Sequence, residues 1–155
     1  MIRAKWRVMT LGAIACLPVA LFTTLSAADG ATGPAQIRIT DIQTTYRVAR
    51  PANGGVAGSV ETIMQRLYNP SLSEKSIGRS VIACTFVDTR NRTCVATYVL
   101  PKGTLVATGA LQSRLLYEIP IVGGTGLFDN ARGTLTVTAT HLRPRREVLL
   151  FRLVG

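Results

Sequence analysis

The chain is poor in the residues that most enzymes use for chemistry. It has one histidine, His141, and three cysteines. A single histidine without a second partner is a poor start for a zinc site, and none is expected. A Ser-His-Asp triad would need His141 beside a serine and an acid, and no Gly-x-Ser-x-Gly nucleophile elbow is present. No long helical periodicity, internal repeat or low-complexity tract can be found. Acidic residues are few, 8 against 18 Lys and Arg. The basic residues are nevertheless scattered, clustering only at Arg90 with Arg92 and at Arg143 with Arg145 and Arg146. Nucleic-acid binders concentrate Lys and Arg on one face with aromatics between them, and that stripe is missing. No nucleic-acid partner is expected; the charge reads as a solvated surface that favours anionic partners or cell-envelope polymers.

What is present begins with an export signal. Arg3, Lys5 and Arg7 precede an uncharged, mostly apolar stretch from Val8 to Leu25, and Ser26-Ala27-Ala28 supplies small residues for cleavage. Residues 1–28 therefore read as a signal peptide. An uncleaved anchor is the weaker reading, because the apolar stretch is short and carries Pro18. Lipidation at Cys16 is weaker again, since Ala13-Ile14-Ala15 lacks the usual leucine. Removing Arg3, Lys5 and Arg7 takes the 18 basic residues to 15 and the net charge from +10 to +7. The product is expected outside the cytoplasm, secreted or in the envelope, with no stable membrane insertion. It retains Cys84 and Cys94, an even pair that reads as a disulfide.

Residues 29–36 are small and polar, a flexible arm, and 37–155 form one domain. Ile37 to Val48 alternates as a strand. Val60 to Tyr68 has helix-tolerant residues (Glu61, Met64, Gln65, Arg66) but stands among strands, and a strand is favoured. Val81 to Val87 and Thr93 to Leu100 form a hairpin. If Cys84 faces Cys94, Phe86 faces Arg92, Val87 faces Asn91 and Ile82 faces Ala96, leaving a three-residue loop. Thr104 to Leu111 is a strand in which Gly109 suggests a bulge. Leu115 to Val122 carries Pro120, Gly133 to His141 alternates cleanly, and Val148 to Val154 closes the chain. Four glycines fall within the eleven residues from Gly123 to Gly133. They read as a turn that opens a strand. A nucleotide-binding glycine loop would open a helix. About eight short antiparallel strands must close or protect their edges, so the fold is expected to be all-β, an eight-stranded antiparallel closed barrel with one hairpin disulfide. A β-sandwich is the alternative.

Four stretches then carry a resemblance: Leu67-Tyr68-Asn69; Ile77-Gly78 through Cys84-Thr85; Cys94 through Gly103, ending Leu100-Pro101-Lys102-Gly103; and Ile121 through Gly133. Together they resemble bacterial members of the allene oxide cyclase-like, dirigent-like barrel family across about half of the mature chain. The resemblance implies an apolar cavity, frequent trimeric assembly, and an apolar small-molecule ligand steered toward cyclisation or stereoselective coupling. It implies no metal and no redox cofactor. Many bacterial members read Gly-Asp where this chain has Gly58-Ser59.

Candidate chemistry is sparse. Asp41 shares an alternating face with Ile37 and Ile39. Turned inward, it is a carboxylate of raised pKa suited to acid or base work; otherwise it is an ordinary strand aspartate. Arg132 of the glycine block could orient an anionic or carbonyl group, or clamp turn carbonyls. Tyr46, Phe86, Tyr98 and Phe128 are the aromatic candidates for lining a ligand site, against a plain core or rim role.

Overall fold

The computed structural model describes residues 34–72, 75–112 and 115–154. The expected leader over 1–28, Cys16 within it, and residues 29–33 of the arm lie outside them. Eight strands follow one another: β1 (Ala35–Ala49), β2 (Val60–Tyr68), β3 (Gly78–Phe86), β4 (Arg92–Leu100), β5 (Gly103–Leu111), β6 (Leu116–Gly126), β7 (Arg132–Ala139) and β8 (Arg146–Val154). Each runs antiparallel to the next, and β8 pairs back onto β1, closing the barrel. Closure leaves no sheet edge to protect. No helix occurs among the described residues.

β2 shows why position overrides propensity. Its backbone is paired on one side to β1 and on the other to β3. Glu61, Gln65 and Leu67 turn inward with a period of two, which a helix could not achieve. The hairpin follows the register that the cysteines imply: Cys84 faces Cys94, Phe86 faces Arg92 and Ile82 faces Ala96. The Val87 amide donates to the Asn91 carbonyl at 2.9 Å. Cys84 and Cys94 are disulfide-bonded across a separation of 10 residues. Replacing both with alanine is expected to lower stability by about 2–3 kcal/mol, the entropy of closing so short a loop in the unfolded chain. Urea unfolding should show a lower midpoint; a loss under roughly 1 kcal/mol would mean that the ladder alone fixes the hairpin.

Several boundaries differ from expectation. β1 starts at Ala35, because Ala35 and Gln36 pair with Leu153 and Arg152 of β8; these two residues belong to the barrel. β6 continues through the glycines: Gly123, Gly124 and Thr125 pair with Val106, Leu105 and Thr104. The turn comes later, at Leu127–Ala131, where the Leu127 amide donates to the Lys102 carbonyl at 2.8 Å. β7 stops at Ala139, short of His141.

The register shift in β5 lies between Val106 and Ala107, with Val122 of β6 the extra residue, and not at Gly109. Gly109 serves packing instead, since a Cβ there would lie 2.9 Å from Ile119 Cγ2. The β5–β6 ladder ends at Ile121, beside Pro120, which has no N–H to give. A second bulge, at Thr44 of β1, re-aims the residues that follow it.

Inward faces fill the barrel. Ile39, Leu67, Leu105, Leu135, Leu149 and Phe151 are fully buried along one half of its length. Tyr98 meets Phe151 edge-on with ring centroids 5.0 Å apart. The middle is thus occupied by side chains, unlike the open apolar cavity that the resemblance implies.

Candidate active site

Strand alternation puts every second residue inside. Toward the mouth framed by the β1–β2, β3–β4, β5–β6 and β7–β8 loops, those inward positions turn polar. Asp41, Glu61, Gln65, Ser80, Arg92 and Glu147 are all buried there. Burying three carboxylates demands partners. Glu147 accepts from Arg145 Nε at 3.0 Å and from Gln65 Nε2 at 3.1 Å. Ser80 Oγ in turn donates to Gln65 Oε1 at 2.7 Å, which fixes the amide's orientation. Glu61 lies 3.5 Å from Arg92.

Asp41 is the exception. It stands directly opposite Glu147 in the β1–β8 ladder. Its Oδ1 accepts from the Glu147 backbone amide at 3.1 Å, while Oδ2 has no protein partner. Burial, reinforced by the negative charge of Glu147, raises its pKa from 3.8 to about 8. Asp41 is therefore mostly a neutral carboxylic acid at pH 7, able to donate a proton from inside a barrel. The Tyr98 hydroxyl is fully buried and also without a protein partner. Burial pushes the phenols of Tyr98 and Tyr117 upward as well, so both remain neutral donors.

A small cavity lies at this mouth; Tyr117 and Glu147 reach its wall, whereas Asp41 and Tyr98 lie behind it. Gln43, Tyr46, Ile63, Leu111, Tyr117, Arg145 and Glu147 contribute to its wall, and its volume is about 20 Å³. That is room for about one water molecule. Tyr46, one of the wall residues, is 46% exposed.

The sequence candidates divide between the two ends of the barrel. Asp41, Tyr46 and Tyr98 gather at or below the polar mouth. Phe86 lies at the same end, its ring 6.0 Å from the Arg92 guanidinium carbon. Phe128 is at the far end, where it borders an apolar hollow of about 220 Å³ with Ile37, Ile39, Ile77 and Leu100. Arg132 is also at the far end, on the outer surface, with its guanidinium donating to the Ala131 carbonyl at 2.9 Å. The fold does not bring Arg132 and Asp41 together. Glu61, Gln65, Arg92, Tyr117, Arg145 and Glu147 were not candidates from sequence. Their one available signal was position: each polar residue of β2 at the site is two residues from Ile63, and Glu147 is two from Leu149.

The fold and this inward-facing acid define a class: closed eight-stranded barrels with a polar group set into one mouth. Several solved structures are similar in fold to this chain. Pyocyanin demethylase superposes with a TM-score of 0.62 at 20% identity, covering 74% of this chain and 98% of its own. The pterocarpan synthase dirigent protein PsPTS1 gives 0.57 at 19%, covering 79% and 97%. The Diels-Alderase AbmU from Streptomyces koyangensis gives 0.58 at 21%, covering 83% and 72%. The chain thus has the dirigent- and cyclase-like barrel fold. No family model matches it, and no curated protein does.

Proposed function

We propose that this chain is an exported barrel that takes a reactive, largely apolar small molecule at its polar mouth and steers a cyclisation or stereoselective coupling. The observation that carries this reading is Asp41, a buried carboxyl with one oxygen unpartnered and a pKa near 8. Protonated, it lends its proton to a developing oxyanion or carbonyl on the substrate, and the resulting carboxylate takes a proton back from the substrate as the ring or bond forms, so none is consumed. Tyr117, on the cavity wall, is a neutral hydrogen-bond donor for the same oxygen. The surrounding walls fix a near-attack conformer and exclude water. Entry requires Tyr46 and Arg145 to swing outward from a mouth this narrow. On this reading no metal and no redox cofactor takes part. The Cys84–Cys94 bridge supports an extracytoplasmic location, where such bonds persist.

The filled interior favours a second reading, a structural or envelope-interaction protein without chemistry. One comparison separates the two. Native mass spectrometry of the purified chain, followed by turnover of a panel of apolar cyclisation substrates, tests for guest and reaction. Asp41→Asn should abolish the reaction, whereas Arg132→Ala should leave it near the wild-type rate. Neither a guest nor any turnover would sink the enzymatic reading.

Trimeric assembly is also proposed. The outer face of β2 to β5 exposes Met64, Val81, Val95 and Val99. Its only charged residues, Arg66 and Arg79, face each other at one end. A species of three times the chain mass is expected at micromolar concentration, dissociating in Val81→Glu; a monomer throughout would refute it.

A further inference from the structure

The polar mouth is surrounded by four loops, and three of those loops show a common composition in the described residues. The β1–β2 loop carries Arg50 and Val56, the β3–β4 loop Val87 and Arg90, and the β7–β8 loop Leu142 and Arg143, while Arg145 of that last loop is held on Glu147. The fourth loop ends on Leu115. Val56, Val87, Leu115 and Leu142 are 40%, 61%, 55% and 57% exposed. Single exposed aliphatics are ordinary on a protein surface. Four of them in the four loops at one end, with Val87 and Leu115 at the feet of theirs and guanidinium groups between them, are not scattered.

Opposing charge in these loops is nearly absent. The one acidic residue in the described parts of these loops is Asp88. Its carboxylate accepts from the Arg90 and Asn91 amides at 2.7 and 2.8 Å and from the Asn91 side chain at 2.6 Å. The opposite end is different. Its described loops carry Lys75, Lys102 and Asp129, and Leu127 is the one large aliphatic that stands out from them.

We propose that the mouth end docks on an anionic lipid surface. The four aliphatics reach below the headgroups, and the arginines sit at the level of the phosphates. Guanidinium groups bind phosphate oxygens in pairs, which suits them to this position. A soluble polyanion would engage the arginines but has no use for the aliphatics, so the combination favours lipid. The docked mouth opens toward the bilayer. The docking stands whether or not Asp41 performs the reaction proposed above, because neither these aliphatics nor Arg50, Arg90 and Arg143 take part in it.

The test uses the full chain with vesicles of phosphatidylcholine alone or with roughly a third phosphatidylglycerol. Hydrogen exchange should slow at residues 53–58, 87–91 and 140–145 only with the anionic vesicles, and stay unchanged at 69–72 and 127–131. In co-sedimentation, Arg90→Glu with Arg143→Glu, and separately Val87→Ser with Leu142→Ser, should each weaken binding roughly tenfold or more. These exposed loop substitutions leave the interior untouched, and circular dichroism checks the fold. Protection confined to residues before Ala35 or to the opposite end would overturn the proposal. So would equal binding to neutral vesicles. If the serine pair binds like wild type while dextran sulfate protects the same loops, the partner is a soluble polyanion and the lipid assignment fails.

Discussion

Asp41→Asn is expected to make the protein more stable at neutral and alkaline pH. The sign follows from the two pKa values. In the unfolded chain the carboxyl titrates near 3.8; in the barrel it titrates near 8. Between those values the folded state holds a proton that the unfolded state releases. Asp41 therefore favours folding most below pH 4, and that contribution falls as pH rises, by at most about 1.4 kcal/mol per pH unit. Above pH 8 the loss is complete. Asparagine cannot ionise, and its Oδ1 can still accept from the Glu147 amide. The variant should match wild type below pH 4 and surpass it by several kcal/mol at pH 8. Urea melts of both proteins across pH 4–9 measure this directly. Their difference isolates Asp41 from the other carboxylates. Equal stability of the two proteins at every pH would show that Asp41 is ionised and hydrated in the barrel, and the acid role would go with it. A variant that is both more stable and inactive is the pattern of a group kept for function at a cost to folding.

The site was only partly legible in the sequence, for a physical reason. Alternation reports burial only where the inward residues are apolar. The clean pattern of β7, with Leu135 and Val137 inside, was readable, as was the hairpin register fixed by Cys84 and Cys94. Asp41 was readable because Ile37 and Ile39 precede it on the same face. Glu61, Gln65 and Arg92 are inward residues of the opposite polarity, so they look like surface residues. In β2 they even imitate a helix. Glu147 is adjacent to Arg146 and two residues from Arg145, and reads as part of a basic turn. What places it inside is its partner across the ladder, Asp41, 106 residues away. The glycine block failed differently. Glycine has little strand propensity, so Gly123 to Gly126 read as a turn, although the backbone there is paired to β5. The filled interior was not legible either, because side-chain volume summed around eight strands depends on register and bulges.

Gly133→Ala is expected to cost about 3 kcal/mol or more, and to exceed the loss of the disulfide. Gly133 faces Ile121 of β6 on one side and Leu153 of β8 on the other, so it sits in the seam where three strands meet. Its φ is +143°, a region that side chains of L-residues rarely enter. A Cβ there would lie 1.9 Å from the Arg152 carbonyl oxygen and 2.9 Å from its carbon. Both obstacles are backbone, so no rotamer change can relieve them. The strands must separate, and β8 is the strand that closes the barrel on β1. Gly123 supplies the control from the same block. Its φ is unremarkable, and the nearest atom to an added Cβ is Arg132 Nη1 at 3.8 Å, an ordinary contact on a flexible side chain. Gly123→Ala should stay within about 0.5 kcal/mol of wild type. Denaturant unfolding of the two variants side by side distinguishes a glycine that closes the barrel from one that merely lies in the motif. If Gly133→Ala unfolds within roughly 1 kcal/mol of wild type, the seam tolerates a side chain and the block must be there for another reason, contact with a ligand being the first to test.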